Sequence, residues 1–318
     1  MQGTISNKRT AKRGATSFEA VLERAAIRRP IQPKSLIMTI FGDSVVPRGG
    51  VIWLGSIVEL AREFGFAEPL VRTSALRLTY DGWLLRRQVG KLSYYSMTDD
   101  YAAAQAAYQS QIYSTSEELR RNGWTIFRMF ADRIDRKAAY NIRNTLNRYG
   151  FGQLAPLVLI HPSIGKSAVR HIISISSHSQ AGVAFFAEEP EQNQAIMRHL
   201  IDNAWDLTEV RQGYEDFIAS FGDLPILLEK KRPSPPIAFA LRTLMVHHFR
   251  RTALRDPRLP EKLLPANWPG EKAFGLIKRA YTGLLPKSEA FLDLKFRAED
   301  GIAPKADERL FQRFSGAA

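Results

Sequence analysis

Residues 68–95 read EPLVRTSALRLTYDGWLLRRQVGKLSYY, and this stretch decides the fold of the N-terminal part of the chain. Pro69 suits the first turn of a helix, because its φ angle is fixed and it has no N–H to leave unpaired. The helical spacing of the apolar residues continues the helix to about Tyr80, where the turn pair at 81–82 ends it. Aromatic and apolar residues on both sides of Gly90 then predict a β-hairpin.

The predicted helix has one apolar face and one polar face. Its apolar residues recur at i, i+3, i+4 and i+7 from Val71 to Leu78, which predicts the side that packs inward. Arginine can bind guanine with two hydrogen bonds in the major groove, threonine can bond a base or a phosphate, and an apolar side chain suits a thymine methyl group. The candidate DNA-reading residues on the outward face are Arg72, Thr73, Leu76 and Arg77.

The predicted hairpin is basic, and a basic hairpin beside such a helix can contact phosphates or enter the minor groove. An ordinary amphipathic helix followed by a solvated turn is the alternative interpretation. The candidate residues, predicted to lie at the hairpin tip, are Arg86, Arg87, Gln88 and Lys91.

The segment before residue 68 completes the motif. Apolar stripes at helical spacing predict helices over 36–41 and 54–61, and Gly65 is a typical helix stop. The link from Gly65 to Pro69 is short and contains glycine, as a helix-turn-helix requires. Three helices and a basic hairpin therefore predict a winged helix-turn-helix DNA-binding domain over 34–100.

The rest of the chain divides into further predicted units around this domain. A basic arm occupies 1–33, with a short amphipathic helix from Phe18, and its first residues are expected to be a solvated tail. Thr98 is a good N-cap for a connecting helix that reaches into 101–122. The middle part, 123–190, alternates strands and helices in the order of a ferredoxin-like domain. Its predicted strands are 124–130, 156–160 and 183–186, its helices are 133–149 and 163–171, and 150–152 is a turn.

Residues 191–318 are predicted to form a mostly helical effector and dimerisation domain. Strong helical patterns cover 238–254 and 274–284, and the charged tail beyond about 300 is expected to be loose. The whole chain is thus predicted to be an α+β multidomain protein, with a winged helix-turn-helix, a central ferredoxin-like domain and a C-terminal mostly helical domain.

The charge balance and the cysteine content of the chain limit which binding partners and which chemistry are expected. The chain has 318 residues, 45 Lys and Arg against 32 Asp and Glu, and a formal net charge of +13. Such an excess favours a polyanion, which means nucleic acid, an anionic membrane surface or a phosphate-rich ligand. The absence of cysteine excludes disulfides, thiol catalysis and cysteine-bound metals. No apolar run is long enough for a membrane span, so a cytoplasmic protein with no membrane partner is expected.

Signals for catalysis are weak. None of the six histidines has a zinc-site spacing, and no nucleotide-binding or nucleophile motif occurs in a suitable context. Asp132 follows the first strand of the middle domain, where a metal-dependent nucleic-acid-processing enzyme could hold its metal. An Asp beside Arg133 and Arg136 is more simply a helix cap or an ion pair. We therefore expect no enzyme activity, no catalytic or metal-binding residues and no cofactor.

A second basic cluster lies on the predicted helix over 238–254. Its cations could bind the phosphates of an acidic effector. A solvated basic face that alternates with core residues is the equal alternative. The candidate effector-binding residues are Arg242, His247, His248, Arg250 and Arg251.

Several short motifs follow one another along the chain. They are LIMTIFGD at 36–43, IWLG at 52–55, DGWL at 81–84, GFG at 150–152, WDL at 205–207, HFRR at 248–251 and NWPG at 267–270. In these motifs the chain resembles the PaaX-type repressors of phenylacetic acid catabolism over about residues 34–295.

The resemblance implies a GntR-like winged helix, a ferredoxin-like middle domain and a helical C-terminal domain. It implies a homodimer that represses an aromatic-acid catabolic operon. The dimer would release its double-stranded DNA operator on binding phenylacetyl-CoA or another aryl-CoA, and it would have no enzyme activity. A metal-dependent enzyme that uses Asp132 and a ligand-independent architectural DNA binder are the two rival functions.

Overall fold

The structure is a computed structural model that describes most of the chain. The first 16 residues of the predicted arm at 1–33 and the acidic boundary at 189–191 lie outside the described residues. The described residues form helices and two small antiparallel sheets, so the α+β class is confirmed. The described residues are 17–28, 30–115, 119, 123–175, 180–188, 194–299 and 301–314.

The helices and strands are numbered in chain order. The helices are α1 (Phe18–Arg28), α2 (Pro33–Ile40), α3 (Leu54–Arg62), α4 (Glu68–Tyr80), α5 (Asp99–Tyr113), α6 (Arg136–Asn147), α7 (Lys166–Ile175), α8 (Gln194–Ala204), α9 (Thr208–Phe221), α10 (Leu224–Lys230), α11 (Pro235–Ala253) and α12 (Gly270–Lys295). The strands are β1 (Val51–Trp53), β2 (Leu84–Val89), β3 (Leu92–Met97), β4 (Gly123–Met129), β5 (Gly152–Ala155), β6 (Val158–His161) and β7 (Gly182–Glu188).

The N-terminal unit contains the predicted helices and hairpin. Strands β2 and β3 pair directly, and β1 pairs with the other edge of β3. Gly65 follows α3 with a φ of 77°, a left-handed conformation that glycine adopts without strain. The Thr98 side chain accepts a hydrogen bond from the Tyr101 backbone N–H at 3.3 Å, so the predicted N-cap of α5 is confirmed.

The middle unit is a four-stranded sheet with the strand order β5-β6-β4-β7. Phe127 and Met129 of β4 pack with residues of α6 and α7, so both helices lie on one face of the sheet. Trp124, which points to the opposite face, packs with Met197 and Ile201 of α8. The sheet is therefore covered by helices on both faces.

Several predicted bounds in the middle unit are wrong. Helix α6 begins at Arg136 instead of 133, because the Asp135 carboxylate caps it by accepting the Ala138 N–H at 2.6 Å. The predicted strand at 156–160 corresponds to β6 at 158–161, whereas its hairpin partner β5, which begins at residue 152 within the predicted turn at 150–152, was not predicted. The turn of this hairpin contains Leu157 at a φ of 61°, a conformation that sequence patterns do not suggest for leucine.

The C-terminal unit is helical, as predicted, but its last helix is much longer than expected. Helix α12 has 26 residues and continues past Pro286, where the predicted helix had already ended. The buried Phe291 and Leu292 extend its apolar face beyond the proline. Packing of that face outweighs the lost backbone hydrogen bond.

The expectation of a loose tail beyond 300 is wrong. Phe314 is 2% exposed, and its ring centroid lies 5.1 Å from those of Tyr113 and Tyr281. Leu310, one helical turn earlier, is also buried. These two apolar residues, together with Arg313, which donates to the Asp43 carboxylate at 3.0 Å, hold this part of the tail against the core.

Candidate nucleic-acid interface and ligand cavity

Helix α4 presents the polar face that its spacing predicts. Val71 and Leu78 are fully buried, whereas Leu76 is 36% exposed. Arg72 donates to the Glu68 carboxylate at 2.7 Å in an exposed ion pair within the helix. The structure thus leaves an apolar side chain and two cations together at the surface. The predicted reading residues Arg72, Thr73, Leu76 and Arg77 are all exposed.

The hairpin residues are exposed as well, but they do not all lie at its tip. The turn consists of Gly90 and Lys91, between the paired residues Val89 and Leu92. Arg86 and Arg87 lie further down β2, opposite Tyr95 and Tyr94, so their placement at the tip is wrong. The reason is that the tight turn needs only two residues.

The partners of the hairpin cations differ. Arg86 donates to the Ser93 hydroxyl at 3.0 Å, and Gln88 donates to the Gly90 carbonyl at 3.2 Å. Arg87 forms an ion pair with Glu299, which lies after α12. The hairpin is therefore tied to the C-terminal segment on one side.

Helix α4 and the hairpin share one electrostatic environment. Burial raises the pKa of the Tyr95 phenol, while Arg86 of β2 and Arg72 of α4 both act in the opposite direction. Both guanidinium groups therefore lie within electrostatic range of the same side chain. The helix and the hairpin therefore each place one cation near Tyr95.

The second basic cluster separates into buried and cavity-lining parts. Arg242 is fully buried, and its guanidinium donates to the carboxylate of Asp43 at 2.8 Å and also pairs with Glu289. His248 is 2% exposed, and its ring packs on Phe221 at 5.5 Å between centroids. The alternative of a solvated basic face is therefore wrong for these two residues and for the buried His247, because they face the core.

A cavity of about 670 Å³ lies where the three units meet. Some side chains of the predicted basic cluster line it. His247, Arg250 and Arg251 line this cavity, whereas Arg242 and His248 do not. The lining also includes the aromatic rings of Trp83 and Tyr101, which stack at 5.3 Å between centroids.

Sequence reasoning missed the other lining residues of this cavity. They come from separate segments, so no spacing in the chain could have grouped them, although Arg255 follows the HFRR motif closely. A second cavity of about 360 Å³ shares four lining residues with the first and extends it toward Trp205. The further cations and aromatic residue that line the larger cavity are Arg28, Arg148, Arg255 and Tyr149.

The structure gives little support to metal chemistry. Within the described part of the chain, no group of three or more His, Asp or Glu residues could hold a metal ion. The Asp132 side chain is 81% exposed and lies 3.7 Å from the Arg133 guanidinium, which fits the simpler ion-pair interpretation. Across those same residues, none of the helices is both long and apolar enough to span a membrane.

Comparison with known proteins finds relatives for most of the chain. The family model described as PaaX-like protein matches residues 32–101, and that of the PaaX-like protein C-terminal domain matches residues 205–294. The transcriptional repressor PaaX of Escherichia coli strain K12 is 33% identical over 304 residues, which cover 95% of this chain and 96% of that protein.

A solved structure, the uncharacterised protein Rv0674 from Mycobacterium tuberculosis, aligns with 74% of this chain and 89% of its own at 21% identity and a TM-score of 0.41. That likeness is too low to carry an argument about the fold. The two family models and the full-length relative agree with the motifs in the sequence, and the chain belongs to the PaaX-like protein family.

Proposed function

We propose that this protein is a transcriptional repressor that binds double-stranded operator DNA as a homodimer. The observation that carries the proposal is the outward face of α4, where Arg72, Leu76 and Arg77 are exposed beside a basic hairpin. The relative from Escherichia coli is named a transcriptional repressor, and it aligns with this chain almost from end to end. A regulator, instead of an enzyme, accounts for both findings.

The N-terminal unit over 34–100 would act as a GntR-like winged helix-turn-helix. In this assignment α4 enters the major groove, where Arg72, Thr73, Leu76 and Arg77 read bases. The hairpin cations Arg86, Arg87 and Lys91, with Gln88, hold phosphates or enter the minor groove. The short α3–α4 link and the pairing of β2 with β3 support this assignment.

The remaining units have distinct proposed roles. The order β4-α6-β5-β6-α7-β7, with β4 between β6 and β7, supports a ferredoxin-like middle domain over 123–190. A connecting helix over 101–122 links it to the winged helix, and the arm over 1–33 precedes the DNA-binding domain. The helical part over 191–318 would serve effector binding and dimerisation.

The effector would be an aryl-CoA such as phenylacetyl-CoA, and the operon would serve aromatic-acid catabolism in the cytoplasm. His247, Arg250 and Arg251 would bind its phosphates, because they line the cavity together. Arg242 and His248 are withdrawn from the proposed site, since one is paired with buried carboxylates and the other is packed on a core aromatic ring. The stacked rings of Trp83 and Tyr101 would hold an aromatic acyl group.

A gel shift on the DNA upstream of the protein's own operon tests this function. We expect a specific protein–DNA complex that dissociates when phenylacetyl-CoA is added. Free phenylacetate and acetyl-CoA should leave the complex intact. Arg72→Ala and Arg77→Ala should each abolish specific binding, because each lost bidentate contact is worth about 1–3 kcal/mol of discrimination. Arg279→Ala, an exposed cation on α12, is the matched control.

Three results would overturn parts of the proposal. Full operator affinity in the Arg72 and Arg77 variants would remove their assigned roles. Binding with little sequence preference and no response to any acyl-CoA would favour the architectural DNA binder. Cleavage of labelled DNA or RNA in the presence of magnesium would favour the enzyme that uses Asp132.

A further inference from the structure

The helical layer of the middle unit carries charge of only one sign. Helices α6 and α7 together contain five Lys or Arg residues and no Asp or Glu. The chain as a whole has 32 acidic residues, and their absence from these two neighbouring helices gives the helices a formal charge of +5. The five cations are Arg136, Lys137, Arg143, Lys166 and Arg170.

These cations face solvent because the other side of each helix is buried. Ile142 and Leu146 of α6 and Val169 and Ile172 of α7 pack into the core of the middle unit. Arg143 is partly exposed, and the other four cations are exposed. Among the described residues, none of the five forms an ion pair, and the nearest acid in the chain is Asp135, whose carboxylate caps the first turn of α6.

The layer also carries groups that suit a sugar-phosphate backbone. Tyr140 is 56% exposed, and the Arg143 guanidinium lies over its ring at 5.6 Å. The exposed Asn141 lies next to Tyr140 on the same helix. Amides, tyrosines and cations are the usual donors to phosphate oxygens.

The basic layer adjoins the proposed DNA-binding unit. Arg148, directly after α6, lines the same cavity as Trp83, the residue that precedes β2 of the hairpin. Near the start of α7, the Ser163 hydroxyl accepts a hydrogen bond from Gln111 of α5 at 3.0 Å. One end of the basic layer therefore lies next to the segments that lead into and out of the hairpin.

From this charge and this continuity we infer that the α6–α7 layer is a second DNA surface, which binds the phosphate backbone next to the half-site without reading bases. Duplex DNA has one negative charge for about each 1.7 Å of its axis, so a patch of five cations matches it well. The inference rests on the proposed DNA-binding function and adds a contact outside the winged helix.

The test compares two triple variants of the full-length protein. Arg136→Gln, Lys137→Gln and Arg143→Gln together remove the α6 charges. Lys272→Gln, Lys278→Gln and Arg279→Gln together remove three exposed cations from α12 and change the net charge equally. The dissociation constant for a labelled 40-base-pair operator duplex is measured over a range of salt concentrations, and circular dichroism checks that both variants are folded.

We expect the α6 variant to bind operator and unrelated duplex more weakly by the same factor. Each lost phosphate contact lowers the slope of log K against log salt by about 1, so the slope should fall by about 2 or more while the ratio of specific to non-specific binding stays constant. The α12 control should keep the wild-type slope. Extending the duplex beyond the half-site should raise the affinity of the wild type but not that of the α6 variant.

Other outcomes overturn the inference. Equal slopes for the two triple variants would exclude a DNA contact by α6, even if the winged-helix variants had lost specific binding. If the wild-type protein bound single-stranded RNA or anionic vesicles more strongly than duplex DNA, and the α6 variant lost that binding, the surface would be assigned to that other polyanion. Loss of base specificity in the α6 variant alone would show a reading surface instead of a backbone surface. A wild-type protein that binds no DNA at all would overturn the inference together with the proposed function.

Discussion

Asp43 keeps a negative charge in the interior because cations and hydroxyl groups from distant segments meet there. Its carboxylate accepts hydrogen bonds from Arg242 at 2.8 Å, Arg313 at 3.0 Å, Tyr113 at 2.8 Å and Tyr281 at 3.0 Å. Burial by itself would raise the pKa of this carboxyl group, but Arg242 and Arg313 outweigh it and hold the pKa below its usual value. The same partners explain why Arg242 is not available to a ligand.

Replacing Asp43 by Asn should destabilise the protein strongly. The substitution leaves two buried guanidinium groups with less negative charge to pair with, and breaking a buried pair on one side typically costs about 3–5 kcal/mol. Glu59→Gln is the matched control, because Glu59 forms more exposed pairs with Arg62 and Lys295, and such pairs contribute about 1 kcal/mol or less. The free energies of unfolding come from denaturant titration, and equal losses in the two variants would contradict the assignment of Asp43.

His161 makes stability depend on pH in a defined window. It is fully buried, its Nδ1 accepts the N–H groups of Ser163 at 3.0 Å and Ile164 at 2.9 Å, and burial lowers its pKa from 6.5 to about 3. Below pH 6.5 the unfolded chain takes up a proton at this residue and the folded chain does not. The contribution is therefore complete above about pH 6.5 and is lost as the pH falls toward 3, by up to about 1.4 kcal/mol for each pH unit.

His161→Asn keeps an acceptor for the two N–H groups but removes the titration. Between pH 6.5 and 4.5 the unfolding free energy of the wild type should fall more steeply than that of the variant. The lowered pKa of Asp43 acts only below about pH 4, so it does not affect this comparison. Parallel curves for the two proteins would show that His161 does not titrate between the folded and unfolded states.

At the scale of the element, the sequence predicted what depends on neighbours in the chain. Pro69, the apolar spacing and the glycine-containing turns define α4 and the hairpin within a few residues, so those bounds are confirmed. The outward side of α4 follows from the same spacing. The DNA contacts of these residues stay a prediction, since a DNA duplex is needed to test them.

The sequence could not predict elements whose stability comes from distant contacts. Arg242 pairs with Asp43, which lies 199 residues earlier, and nothing near Arg242 in the chain indicates this partner. The length of α12 and the order in the tail likewise depend on the core that they cover. For the same reason, the cavity-lining residues other than His247, Arg250 and Arg251 could not be grouped from the sequence.

The C-terminal segment offers a matched pair of phenylalanines for testing its role. Phe314 is 2% exposed and packs among Tyr113, Phe274 and Tyr281, whereas Phe311 is 56% exposed. Phe314→Ala should lower the unfolding free energy by about 3–5 kcal/mol, because it opens a cavity in the core. Phe311→Ala should change it by about 0.5 kcal/mol or less. Equal melting temperatures for the two variants would contradict an anchored tail.

At the scale of the whole molecule, the buried charges fix the N-terminal unit to the helical C-terminal unit. Arg48, which lies before β1, donates to Glu289 at 2.8 Å and to Asp293 at 2.7 Å on α12, and Glu289 also pairs with Arg242. Because breaking such pairs is costly, we expect these pairs to stay intact when a ligand binds. We expect a ligand to act through the cavity between the units instead of through these ion pairs. Trp83 lines this cavity and directly precedes β2 of the hairpin.

If the cavity couples to DNA binding, the coupling must be equal in both directions. A factor of about 5–150 is typical for such effects, and DNA should weaken the binding of phenylacetyl-CoA by the same factor by which the ligand weakens DNA binding. Arg250→Gln removes one cavity cation and should reduce ligand affinity about tenfold or more, while operator affinity without ligand stays unchanged. Arg279→Gln on α12 is the control of equal charge. Calorimetric titration of phenylacetyl-CoA into free protein and into DNA-bound protein measures the ligand affinity in each state. Equal ligand affinity in the two states would show that the cavity does not regulate DNA release.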